Sequence, residues 1–326
     1  MRKTLLLILL IGIGAGAWYA YQHLDLKPWL SRLLPSGDGS GEPRLDDRPA
    51  PPASQRRTIR IATFNLGRLD ETKLGNARVR GIIAQTIARH DLLALQDIQA
   101  ANHGLLVRLL DEVNKPDAGQ QHDYDFAVAS EPGVPGPHRY NAFVFDRASI
   151  EVVRTKARDY PYAVSDAAGR LRHKPLVGMF RTRAAEPGEA FSFILINVQI
   201  DADRAGSELP VLDDVYRAVC AAEPDEDDVL MLGTLRADDA RLAHWDQLFN
   251  LTAAIRNTPT TTRGTGLSDN ILYNPRATTE YTQRSGVVDL MREFGLSMQD
   301  ALEVSDHLPV WAEFSVFEGG RSGLTR

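Results

Sequence analysis

Hydrophobic positions along this chain repeat with two periods that trade places. Ile59, Ile61 and Thr63 alternate with Arg60 and Ala62, which predicts a short strand ending at Phe64-Asn65. Val79, Ile82, Ile83 and Ile87 fall on one face of a helix from Asn76 to Arg89. Leu92 to Leu95 is an unbroken apolar run, a strand buried on both faces that delivers Gln96 and Asp97 at its end. Leu105, Leu106, Leu109, Leu110 and Val113 return to helical spacing. Five strands follow, from Tyr124, Tyr140, Ile150, Leu176 and Phe191, punctuated by prolines and glycines, with Glu131 to His138 as a loop. A helix is predicted from Glu208 to Ala221, then strands from Val229 to Gly233 and from Asn270 to Tyr273. Leu308, Val310, Trp311 and Phe314 predict a last buried strand. So many strands with so few interleaved helices predict an α+β fold of two packed mixed β-sheets flanked by helices.

The two ends of the chain read differently from its body. Arg2 and Lys3 precede an uncharged run from Leu5 to Tyr21, and Ala15-Gly16-Ala17 resembles a small-residue cleavage site. Residues 1–21 are therefore a signal peptide or an uncleaved membrane anchor, with Trp18, Tyr19 and Tyr21 suited to an interfacial aromatic belt. Either way the basic flank directs the body out of the cytoplasm, to the periplasm, the cell surface or the medium. Residues 22–57, rich in Pro, Gly and Ser, read as a linker, 58–317 as the folded domain and 318–326 as a flexible tail.

Charge narrows the partners. From Thr58 onward, 29 lysines and arginines face 38 aspartates and glutamates, a formal net of −9. Such a domain has no general attraction for polyphosphate backbones, so nucleic-acid contact needs a local basic patch. The N-terminal segment offers the membrane contact. Cys220 is the only cysteine, which excludes an intrachain disulfide and a cysteine-based metal site.

Candidate chemistry begins with Asp306-His307, a carboxylate beside an imidazole at the mouth of the last strand. Taken alone, the pair also fits a solvated turn whose Asp caps the backbone. It does not stand alone. Ala62-Thr63-Phe64-Asn65, Leu95-Gln96-Asp97-Ile98, Ile196-Asn197-Val198-Gln199, Leu232-Gly233-Thr234-Leu235-Arg236-Ala237-Asp238, Ser268-Asp269-Asn270-Ile271-Leu272 and Ser305-Asp306-His307-Leu308-Pro309-Val310 occur in an order that resembles the endonuclease/exonuclease/phosphatase superfamily. The resemblance covers Thr58 to Val316. It implies the deoxyribonuclease I-like four-layer α/β sandwich and Mg2+- or Mn2+-dependent hydrolysis of a phosphodiester or phosphomonoester.

The resemblance also implies roles. His307 is the acid/base imidazole, Asp269 orients it, Asn65 completes the catalytic group, and Asp97 and Asp306 are the metal carboxylates. Asp97 stands where the family has Glu, and the missing methylene withdraws its carboxylate by roughly 1 Å from a Mg2+ that demands oxygens at about 2.1 Å. Gln199 replaces a His, Thr234 an Asp and Arg236 an Asn. An amide and a hydroxyl cannot carry the proton, and an inward Arg236 opposes a divalent cation, although it also fits a solvated loop. His138 stands where the family has a supporting Glu, His173 where it often has Arg, and Thr262 where it often has a phosphate-contacting Thr. The expectation is a protein that meets a phosphate-containing substrate or ligand while its family reaction is weakened or lost. The alternative is an active Mg- or Mn-dependent nuclease or phosphodiesterase with altered ligands, His138 and His173 among them.

Overall fold

Strand β1 (Thr58–Leu69) runs four residues past Asn65, and the added segment is a bulge against its neighbour. Asp70 then caps the short helix α1 (Glu71–Gly75), and Asn76 caps α2 (Ala77–Ile87) by accepting from the amides of Arg78 and Val79. After β2 (Leu92–Ala100) comes α3 (Gly104–Val113), whose five predicted apolar positions are all buried. The next strands are β3 (Tyr124–Ala127), β4 (His138–Asp146), β5 (Ile150–Val152), β6 (Tyr162–Ala163), β7 (Leu176–Thr182) and β8 (Ser192–Gln199). His138 thus opens a strand instead of ending a loop. The single helix expected over 208–221 is two, α4 (Ala205–Glu208) and α5 (Val211–Ala222). Pro210, which has no N–H to donate, starts the second helix instead of extending the first.

The remainder is β9 (Val229–Thr234), α6 (Asp239–Phe249), β10 (Thr252–Ala253), β11 (Asp269–Tyr273), β12 (Tyr281–Val287), α7 (Leu290–Phe294), α8 (Met298–Val304) and β13 (Val310–Ser315). A 3-10 turn over Glu318–Gly320, within the stretch expected as a tail, is the last described element. This computed structural model describes residues 51–53, 55–116, 122–129, 138–153, 160–166, 168–183 and 189–320. The signal or anchor segment, the linker up to residue 50, loop 131–137 and residues 321–326 lie outside the described residues. No helix among those described is long and apolar enough to cross a membrane.

The strands form two mixed sheets, ordered β12-β13-β1-β2-β4-β3 and β10-β11-β9-β8-β7-β5, with β6 beside β7. The sheets meet through aromatic side chains. Phe143 of the first sheet packs edge-on against Phe180 of the second at 5.0 Å, and Phe191, next to β8, stacks with Phe193 at 4.7 Å and with Phe314 of β13 at 6.0 Å. On the outer face of the first sheet, Phe64, Leu95 and Ala142 bury Ile83, Leu106, Leu290 and Val304 of the helices. Trp245 and Leu212 cover the second sheet from the other side, and the partly buried Cys220 packs there. The result is helices, sheet, sheet, helices, as the pattern of strands predicts.

Two parallel strand pairs bring the site residues to one pole of the sandwich. β1 runs beside β2 with Asn65 opposite Gln96, and β8 beside β9 with Gln199 opposite Thr234. Their carboxyl ends point the same way, and β11 begins there, with Asp269 opposite Thr234.

Candidate active site

Asn65, Thr234, Asp269 and His307 form one buried hydrogen-bonded chain. The Asn65 amide donates to Thr234 Oγ1 at 2.8 Å, and the Thr234 hydroxyl donates to Asp269 Oδ1 at 2.7 Å. His307 Nδ1–H donates to Asp269 Oδ2 at 2.6 Å. All four are at most 4% exposed. Thr234 can sit here because residue 233 is glycine. At φ +135° a Cβ on Gly233 would stand 2.0 Å from the Val198 carbonyl oxygen, so only glycine lets β9 close on β8 at this level.

The chain fixes the imidazole. Burial pulls the His307 pKa down, but the bond to Asp269 and the charges of Asp269 and Asp306 outweigh it, and the net direction is up despite the opposing charge of Arg236. The far nitrogen, Nε2, lies 3.9 Å from Asp306 Oδ1, and the Asp306 side chain is open to solvent. Asn65, Asp269, Asp306 and His307 therefore gather as the resemblance implies.

The substituted positions join the same strand ends. Gln199 is buried at the end of β8. Arg236 takes a left-handed backbone at φ +48°, half-buried, and donates through Nε to the Ile200 carbonyl at 3.2 Å. It is neither solvated on an open loop nor turned onto the carboxylates, yet its charge is felt at His307. Asp97 also takes positive φ, +61°. Two non-glycine residues in this sparsely used region at adjoining strand ends mark strain of the kind that collects at functional sites.

Cations stand near the expected metal carboxylates. Arg139 Nε lies 3.4 Å from Asp97 Oδ1, an atom that is buried without a hydrogen bond. Lys73 donates to the carbonyls of Leu66 at 2.6 Å, Gly67 at 2.7 Å and Val304 at 3.0 Å. Burial depresses its pKa, and the charges of Asp306, Asp97 and Asp70 oppose that shift. A divalent ion held by Asp97 and Asp306 would face one fixed ammonium and one guanidinium. Among the described residues, the groups of three or more acidic or imidazole side chains close enough to share an ion do not include Asp97 or Asp306. The donor set does not fit a resident Mg2+ or Mn2+.

The weaker candidates separate. Thr262 is 2% exposed and donates its hydroxyl to the Ser305 carbonyl at 2.7 Å while its N–H donates to the Asp306 carbonyl, so it braces the turn. His138 and His173 line a neighbouring cleft of about 130 Å³ together with His103, Arg139, Arg172 and Lys174. Burial lowers the His173 pKa against the pull of Asp97, which keeps the ring neutral near pH 7. Sequence reasoning missed Lys73 and Arg139, because lysine on a short helix and arginine on a strand carry no signal of what they face. It also missed a brace between the sheets beneath the site. Gln96 donates to Thr63 Oγ1 at 2.9 Å and Asn197 Oδ1 at 2.8 Å, while the Asn197 amide donates to the carbonyls of Leu95 and Ala142, each at 3.1 Å. Polar residues inside the apolar runs Leu95-Gln96 and Ile196-Asn197 were the available hint.

No family model matches the chain. Deoxyribonuclease-1 of Sus scrofa is 25% identical over 275 residues, which are 78% of this chain and 90% of that protein. Deoxyribonuclease-1-like 2 of Homo sapiens is 25% identical over 286 residues, 79% of this chain and 92% of that protein. Among solved structures, a humanized D. rerio TDP2 matches with a TM-score of 0.53 at 15% identity, covering 80% of this chain and 100% of that one. An endonuclease/exonuclease/phosphatase family protein from Leptotrichia buccalis C-1013-b matches with a TM-score of 0.52 at 13% identity, covering 79% and 99%. Likeness over most of the chain to two deoxyribonuclease relatives, the same two-sheet sandwich and the gathered Asn65, Asp269, Asp306 and His307 agree: the chain has the deoxyribonuclease I-like fold, and these observations support its resemblance to the endonuclease/exonuclease/phosphatase superfamily.

Proposed function

We propose that this protein keeps the superfamily's cleft to bind a phosphate-bearing ligand while its metal-dependent phosphoester hydrolysis is weakened or lost. The observation that carries this reading is the closed chain from Asn65 through Thr234 to Asp269 and His307. Where the resemblance puts a carboxylate, the Thr234 hydroxyl spends its proton on Asp269 and its lone pair on Asn65. It has no basicity with which to activate water. Lys73 and Arg139 supply the charge that a metal would bring, but as fixed cations they cannot lower the pKa of a bound water as a divalent ion does. The neighbouring cleft, lined by Arg139, Arg172, Lys174 and His173, has the size and sign for one phosphate group.

Rates on duplex DNA and on bis(p-nitrophenyl) phosphate, with Mg2+ or Mn2+ and the full chain, test the reading. We expect background hydrolysis from the natural sequence. The combined variant Asp97→Glu, Gln199→His, Thr234→Asp and Arg236→Asn should gain at least about 100-fold, since groups that act as a unit return little singly. Metal-dependent cleavage by the natural sequence, abolished in His307→Ala, overturns the proposal. It would instead support hydrolysis with altered ligands, a reading favoured by the neutral His173 beside Asp97.

The body of the chain we place outside the cytoplasm, on the strength of Arg2 and Lys3 ahead of the run from Leu5 to Tyr21. Recovery of the protein from the cytosolic fraction after cell breakage speaks against that placement.

A further inference from the structure

The strands that carry Asn65 and Thr234 to one pole of the sandwich begin at the other pole, and a second cluster of carboxylates is built there. Asp228 precedes β9, Glu280 precedes β12, and Glu318 lies in the turn after β13. One carboxylate oxygen from each can be chosen so that all three lie within 4.8 Å of one another. Asp228 is 1% exposed and Glu280 2%, whereas Glu318 is open to solvent. Among the described residues, no lysine or arginine forms an ion pair with any of the three.

Hydrogen bonding satisfies only the outer oxygens of the cluster. Glu280 Oε1 accepts from the Gly319 amide and from the Thr279 hydroxyl, and Glu318 Oε2 accepts from the Ser192 amide at 3.3 Å. The neighbouring Glu226 is engaged through both oxygens, by the Asp228 amide at 3.1 Å and the Ser192 hydroxyl at 2.6 Å. Glu280 Oε2 is buried with no donor, and Asp228 Oδ1 is buried with no donor in good geometry, the Thr278 hydroxyl, itself 2% exposed, being the group that interacts with the Asp228 carboxylate. A buried carboxylate oxygen without a donor is costly, and two of them side by side add repulsion. Such an arrangement of oxygens suits a cage for a cation.

We propose that Asp228, Glu280 and Glu318 together hold one calcium ion, a site separate from the catalytic pole. The donors are all hard oxygens, which select Ca2+, Mg2+ or Mn2+ over softer metals. Ligands on opposite sides of Ca2+ stand about 4.6–5.2 Å apart, twice a bond of about 2.3–2.6 Å, so the cluster can close on it with little movement. Mg2+ demands a tighter octahedron and keeps its waters, which this irregular and mostly buried set does not accommodate. Glu318 at the surface gives the ion its way in. The ion would tie the start of β9 and the approach to β12 to the turn that ends the described chain.

The test is calorimetric titration of the chelator-stripped full chain with CaCl2, paired with melting curves in EDTA and in calcium. We expect one Ca2+ per chain, with a dissociation constant below about 1 mM. We also expect an upward shift of several degrees in melting temperature at millimolar calcium. Asp228→Asn and Glu280→Gln should each weaken binding at least tenfold. In EDTA they should melt at or above the natural sequence, because repulsion is relieved, and this order should reverse in calcium. The surface variant Glu318→Gln gives the same comparison if a buried one does not fold. Asp97→Asn with Asp306→Asn should keep calcium binding unchanged. No calcium binding by the natural sequence, binding that survives Asp228→Asn and Glu280→Gln, or binding lost only in the Asp97/Asp306 variant overturns the proposal.

Discussion

His307 and His90 show how one side-chain type is driven in opposite directions by its surroundings. His307 has Asp269 as a partner and its pKa is raised, so the stability it contributes is complete below the ordinary imidazole value of 6.5 and is lost as pH climbs through the higher folded value. His90 is 3% exposed, has only the Thr86 carbonyl at 2.9 Å, and is pushed by burial down to about 4. Its unfolded form takes up a proton below 6.5 while its folded form does not, so stability falls as pH drops from 6.5 towards 4. We expect an acid-side loss on the order of 3 kcal/mol from this residue, seen in urea titrations across that window and flattened in His90→Leu. The alkaline-side loss should shrink in Asp269→Asn. Thr234 belongs to the same scale. Thr234→Val strands the Asn65 amide and Asp269 Oδ1 and should cost about 1–3 kcal/mol in urea midpoint experiments, whereas Thr234→Ser should recover most of it. The meeting of Asn65, Asp269 and the Asp306-His307 pair was legible in the sequence because each lies in a recognisable block beside an apolar run. The bond of Thr262 to the Ser305 carbonyl was not legible, since a threonine near a site looks the same in sequence whichever way its hydroxyl faces.

Elements with one clean apolar face were legible, and the rest were not. α2 and α3 lie where the 3.6-residue spacing puts them, β8 and β9 are found within one residue, and β2 starts where its apolar run does but continues to Ala100. β12 escaped because it is an edge strand with Gln283 and Arg284 exposed, and an irregular register between Tyr281 and Ser285 disrupts the alternation. Pro210 divided one apolar stripe into two helices, a local rule that the spacing alone overrode. Contacts between elements suggest two further experiments. Gly233→Ala forces a methyl onto the Val198 carbonyl at the β8–β9 junction and should cost at least about 3 kcal/mol from strain and collision, readable as a lowered urea midpoint with unchanged slope. Lys73→Met removes the three donors that tie the end of β1 to the last turn of α8. We expect faster amide exchange over 66–69 and 304–306 there, with the distant amides of β7 unaffected.

At the scale of the molecule, charge sets what the protein meets. The net of −9 from Thr58 onward repels polyphosphate, and the cleft lined by Arg139, Arg172 and Lys174 is small. Affinity for duplex DNA at about 0.15 M salt should therefore be no tighter than the about 10⁻⁴ M end of non-specific binding, measured by fluorescence anisotropy. Tighter, sequence-tolerant binding would show that the field of the whole domain does not govern the encounter. The two-sheet architecture was readable from the count and order of strands. The convergence of Lys73, Arg139 and Asp97 was not, because it joins segments whose spacing in the chain says nothing about their spacing in the fold.

The first strand of the domain lies between β2 and β13, so the middle of one sheet is assembled from both ends of the domain. A ribosome delivering this chain makes Ile59, Ile61 and Phe64 about 250 residues before the strand that will cover their free edge. Until Val310–Ser315 emerges, β1 offers an open row of backbone donors and acceptors to any neighbour. Synthesis, not the finished molecule, is then the stage at which this protein most needs a chaperone. A message truncated just before Val310 should yield aggregate where one truncated just after Ser315 yields soluble chain.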